Sequence, residues 1–176
     1  MSHHDDDHDH DHDHDDDHED HKDDHDEHED FHLEMHRAVD ELGKYAIDIE
    51  IMSKGGIPKN KFKEFITELM DKSMRSALEH GADLVGHVKS ILLCDDGNIM
   101  SSIVDESIPI KIKDSLENDK VYTAKFTMHV IVHGIWDDKV RDATLEVLPG
   151  IFKKWDVPYK VIADYFDTEK SAAHHE

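Results

Sequence analysis

Between His3 and Asp30 the chain carries no aliphatic and no aromatic side chain. A segment with nothing apolar to bury cannot offset the entropy of ordering its backbone. Its 17 acidic residues, against the single base Lys22, also repel one another. Residues 1–30 are therefore expected to be a disordered tail in the absence of a ligand. Folding is left to residues 31–168, and residues 169–176 are expected to form a flexible C-terminus. Of the net charge of −23, the first 30 residues supply −16, so the remaining 146 residues make an ordinary, mildly acidic domain.

A chain this negative meets a nucleic-acid backbone or an anionic membrane against long-range repulsion, so neither is expected as a partner. Cations are the natural ligands. From His8 to His14, histidine alternates with aspartate, and His18, His21, His25 and His28 follow at wider spacing. Neutral imidazole suits zinc, nickel and cobalt, and the interleaved carboxylates add oxygen donors and offset the charge of the ion. The expected behaviour is capture of several exchangeable divalent transition-metal ions (Ni, Zn or Co) by His8, His10, His12, His14, His18, His21, His25 and their neighbours. Two plainer readings compete: an acidic solubilising tail, and a pH-responsive segment titrating near the ordinary histidine value of about 6.5.

Beyond residue 20 the spacing changes. His21, His25, His28, His32 and His36 are three or four residues apart, which on a helix makes one stripe. Phe31, Met35, Ala38 and Leu42 keep helical spacing beside it, so a helix over 27–44 is expected. Either His28 with His32 or His32 with His36 would then chelate an ion as an i,i+4 pair. The plainer alternative is surface histidines that continue a compositional bias.

The rest alternates in a way that predicts strands over 45–52, 85–94, 98–104, 122–133 and 158–166, and helices over 59–80 and 137–154. Gly55-Gly56 and Pro58 are read as punctuation, Asp95-Asp96-Gly97-Asn98 as a hairpin turn, and Pro149-Gly150 as the end of, or a bend in, the second helix. The order β-α-β-β-β-α-β predicts an α+β two-layer sandwich of ferredoxin-like type with an extra N-terminal helix. The 98–104 segment is either an extra hairpin arm or the central strand, and 105–120 a short strand and turn or a lid. Ile91, Leu93 and Ile131 have the parity opposite to the core. They suggest a face covered by the N-terminal helix or by a second subunit, and hence a homodimer.

Inside the domain, His129 and His133 share a strand face and His87 lies on a strand that could neighbour it. Four residues of extended chain span about 13 Å, so one ion cannot take both His129 and His133. A site built on His87 and His129 would need an outside ligand such as His36, Asp137 or Asp138. Solvent-exposed sheet histidines are the competing reading. Cys94, the only cysteine, excludes an intrachain disulfide and is either an auxiliary ligand or a buried apolar side chain. Phosphate-loop, serine-elbow, H-E-x-x-H and C-x-x-C patterns are all missing from the sequence. No catalytic residue is assigned. The first residues lack a basic stretch and an apolar run, and no segment has the length of a membrane span, so a cytoplasmic location is expected.

Gly86-His87-Val88-Lys89-Ser90, in front of a hydrophobic strand, resembles a Gly-His-[Ile/Val]-Lys segment found in part of the CobW-like family of metal-handling GTPases. The resemblance covers about residues 84–150 and includes neither the phosphate loop nor the thiolate metal motif of that family. It implies a stand-alone accessory domain for metal delivery, with His87 as a functional residue and a metal-handling GTPase or acceptor metalloprotein as partner. The function expected from all of this is that of a metallochaperone or metal reservoir. The alternative is a small-molecule-binding or regulatory domain with the histidine-rich tail secondary, which a concave apolar pocket near 85–94 and 122–133 would favour.

Overall fold

The computed structural model describes residues 41–166. The tail expected for 1–30 and the C-terminus expected for 169–176 lie outside the described residues. Eight elements follow one another: β1 (Leu42–Pro58), α1 (Lys59–Glu79), β2 (Leu84–Cys94), β3 (Gly97–Ile103), β4 (Lys111–Asp114), β5 (Lys120–His133), α2 (Asp137–Trp155) and β6 (Tyr159–Asp164). The strands form an open sheet in the order β4-β3-β2-β5-β1-β6, every neighbouring pair antiparallel. The expected α+β class is therefore present, with two helices among the described residues.

Strict alternation sorts the side chains. On β5, Ala124, Phe126, Met128, Val130 and Val132 are buried, while Lys125, Thr127, His129, Ile131 and His133 lie on the other face. The buried set packs under the apolar stripe of α1, including Phe62, Phe65, Ile66 and Leu69, and under Val140, Ala143 and Phe152 of α2. Phe65 joins three elements: its ring lies 5.9 Å from Phe62, 6.5 Å from Phe126 and 4.8 Å from Phe152.

Three differences from the sequence reading have local causes. The helix expected over 27–44 does not reach its end, because Leu42, Gly43 and Lys44 pair with His133, Val132 and Ile131 as strand. Gly43 is also pressed against the Ile135 carbonyl, where a Cβ would come within 2.1 Å, and glycine is a poor helix former. Leu42 therefore leaves the apolar stripe of Phe31, Met35 and Ala38, whose positions lie outside the described residues. Gly55-Gly56 does not end β1; the ladder with β5 shifts register between Met52 and Ile57 and resumes to Pro58. Pro149 does not end α2, which continues to Trp155 because tertiary contacts hold its last turn: Phe152 is fully buried, and Lys154 and Trp155 reach Glu68 of α1 at 2.6 and 2.7 Å. Of the two places expected for the 98–104 segment it takes the arm, with β3 outside β2 and the four-residue β4 at the edge.

Phe65→Ala is expected to destabilise the domain by about 4 kcal/mol, since a buried ring is lost and its cavity cannot collapse across three elements. Met52→Ala, at a side chain 56% exposed, is expected to stay within about 0.5 kcal/mol. Urea unfolding of both variants measures the contrast.

Candidate functional site

The sheet face opposite the helices carries the polar chemistry of the domain, and a backbone irregularity decides what stands on it. Val85 of β2 lies opposite Val132 in the core layer, yet His87 lies opposite Ile131, on the open face. Two residues separated along one strand should share a face, so Gly86 is the extra residue of a bulge that reverses the phase. A Cβ at Gly86 would meet the Ile131 carbonyl oxygen at 3.0 Å, so the strands close up there only around a glycine. After the bulge Val88, Ser90 and Leu92 are buried, and His87, Lys89, Ile91 and Leu93 take the open face.

His87 and His129 are thereby brought together on neighbouring strands, with ring centroids 5.7 Å apart at 82°. Burial, helped by the ammonium groups of Lys44 and Lys89, holds the His129 imidazolium below the ordinary histidine range. Burial, then Lys89 and His129, does the same for His87. Both rings are neutral at pH 7, with lone pairs free to accept a proton or a metal. Among the described residues, no group of three or more His, Cys, Asp or Glu side chains is placed to hold an ion. His133 is turned to another task, with Nδ1 2.7 Å from Asp83 and Nε2 3.2 Å from Glu41. Asp137 accepts the backbone N–H of Lys44 at 2.8 Å. The Cys94 thiol is pushed up to about 11 by burial and by Asp96 and Asp95, so it is protonated and a weak ligand at neutral pH. His8, His10, His12, His14, His18, His21, His25, His28, His32 and His36 lie outside the described residues.

Beside His129 the open face sinks into a groove of about 520 Å³ over β2, β3, β4 and β5. Two cross-strand rows build it. One runs His129, Lys89, Ser102, Lys111; the other runs Thr127, Ile91, Met100, Lys113. Its lining contains no carboxylate. Sequence reading names only an apolar pocket near 85–94 and 122–133 as the mark of its alternative; it does not foresee the lysine-lined groove, because 105–120 stays open between a short strand with a turn and a lid, and the Gly86 phase change is not seen. The signal was present, since apolar positions switch from odd at Val85 to even at Val88 and Leu92.

No protein-family model matches the chain, and no curated protein does. Two solved structures resemble it in part. One is Zn(II)-bound YjiA GTPase from E. coli, with 15% identity and a TM-score of 0.30, and the other is a Zn(II)-bound triple mutant of YjiA GTPase, with 15% identity and a TM-score of 0.31. Each match covers 60% of this chain and 29% of the solved one. YjiA belongs to the CobW family, and the likeness of this chain to it is weak and partial.

The other half of the open face is closed by a polar knot. Asp48 of β1, 4% exposed, accepts hydrogen bonds from Thr127 Oγ1 at 2.6 Å and the Tyr165 hydroxyl at 2.9 Å, and pairs with Lys125 Nζ at 2.7 Å. Burial alone would raise its carboxyl, but these three donors together hold it below the ordinary Asp range. A depressed carboxyl stabilises the fold above its unfolded value, about 4, and that contribution disappears as pH falls through the lower folded value. Asp48→Ala, which leaves two hydroxyls without their acceptor, is expected to cost about 2 kcal/mol at pH 7. The gap between the two proteins should narrow from pH 7 to pH 2 in urea unfolding, and an unchanged gap would show that the charge does not hold the knot.

Proposed function

We propose that the protein binds divalent transition-metal ions, nickel, zinc or cobalt, as a cytoplasmic metallochaperone or metal reservoir. The observation that carries this reading is the alternation of histidine and aspartate from His8 to His14, continued at wider spacing to His36. Each imidazole there has a carboxylate neighbour, so a bound dication finds both a borderline donor and charge compensation. The paired neutral rings of His87 and His129 support a secondary contact with metal in the folded domain. In this reading the domain is a platform of ferredoxin-like type, with β6-β1-β5-β2 as its four-stranded frame and β3 and β4 as an added arm. It presents ions to an acceptor metalloprotein or a metal-handling GTPase, and pairs as a homodimer. The groove over β2 and β5 supports a second reading, in which the domain also binds a small molecule.

Calorimetry on the metal-free chain at pH 7 is expected to register more than two nickel or zinc ions per chain, because the ten histidines among residues 1–30 exceed what one ion can coordinate. Binding should fall sharply between about pH 7 and pH 5 as imidazoles protonate. Saturation at one ion or none refutes the proposal. Affinity that persists at pH 5 transfers the chemistry to carboxylates and to harder cations.

A further inference from the structure

The groove on the open face differs from the rest of this chain in charge. The sequence has 43 acidic residues against 20 lysines and arginines, yet the groove gathers Lys89, Lys111 and Lys113 with no acid in its lining. Four lysines elsewhere in the domain are matched: Lys125 with Asp48, Lys63 and Lys59 with Asp114, Lys154 with Glu68. Beyond their backbone places in the ladders, none of the three groove lysines has, among the described residues, a carboxylate within ion-pair reach or a hydrogen-bond partner for its ammonium group. Three unneutralised ammonium groups around one concavity repel each other and stand ready for an anion.

The register gives the anion a shape. Lys89 and Lys111 flank Ser102 in one cross-strand row, with two inter-strand spacings between them, or about 10 Å. An oxyanion above Ser102 reaches both ammonium groups and the hydroxyl. In the next row Ile91 and Met100 lie side by side, Met100 45% exposed, and they offer an apolar bed to a ligand body. Thr127 and the neutral His129 close the β5 end. A cavity of about 520 Å³ holds a small molecule.

We propose that this groove binds a small amphipathic organic anion, its carboxylate-type head between Lys89 and Lys111 over Ser102 and its hydrocarbon body on Ile91 and Met100. The inference rests on the small-molecule reading and is independent of metal capture by the histidine-rich segment.

The test is calorimetric titration of the full chain with decanoate, in EDTA so that no metal carried by the chain recruits the carboxylate, and with decanol as the uncharged counterpart. One decanoate per chain is expected, at least tenfold tighter than decanol. Lys89→Gln/Lys111→Gln should weaken decanoate at least tenfold and leave decanol unchanged, and Ile91→Asp should weaken both. A thermal melt checks that the variants stay folded, which their exposed or half-buried positions favour. Equal binding of decanoate and decanol, insensitive to the lysines but lost in Ile91→Asp, would overturn the anionic ligand and keep a small-molecule groove. No binding of either, or decanoate binding unaffected by all these changes, would overturn both readings.

Discussion

Strand β5 is the constraint on which the rest of the structure depends. It pairs along its whole length with β1 on one side and from Lys125 to His133 with β2 on the other, so its pleat dictates the phase of both. One set of alternate residues, from Ala124 to Val132, supplies the floor of the core; the other, from Lys125 to His133, supplies the chemistry of the open face. A slip of β2 by one residue against β5 would put Leu92 into water and Lys89 under the helices. The burial of the aromatic cluster around Phe65 is thus also what fixes His129 beside His87 and Thr127 under Asp48.

That coupling explains what was legible in the sequence. The strands over β2, β3, β5 and β6 and both helices follow from alternation and from helical stripes, signals that belong to one element at a time. Contacts made between elements left weaker marks. Leu42 reads as the last member of a helical stripe and is instead the first residue of β1, since strand pairing to His133 is stronger than a four-member periodicity. Pro149 reads as an end of, or a bend in, the second helix, and the helix is carried through it on Phe152, Lys154 and Trp155. The four residues of β4 have too little pattern to be seen alone, and only their pairing to β3 makes them a strand. Of the candidate site, the pairing of His87 with one strand histidine follows from extended-chain lengths, whereas the bulge that turns His87 outward is visible only as a change of apolar phase around Gly86.

The open face is divided electrostatically. On the β1 side, Asp48 is enclosed by Thr127, Tyr165 and Lys125, and a buried charge satisfied in this way is already neutralised within the fold. On the β2 side, lysines stand without carboxylates over Ile91 and Met100. Thr127 sits at the divide, its hydroxyl committed to Asp48 and its strand position at the end of the groove row. The two halves are complementary: one is locked and holds strands together, the other remains open to a ligand.

The same division ranks the histidines under the proposed metal-binding role. An ion between His87 and His129 would gain two nitrogen donors, but it would also meet what discourages a proton on His129, burial first and then the ammonium groups of Lys44 and Lys89. Whatever disfavours a single positive charge on that ring disfavours a dication near it more strongly, because the repulsion grows with the charge of the ion. Between His8 and His14 the neighbours are aspartates, and the sign of that effect is reversed. Imidazoles of the same intrinsic affinity are thus graded by their surroundings: the acidic segment is suited to capture, and the sheet pair to a contact completed by a negatively charged ligand from outside.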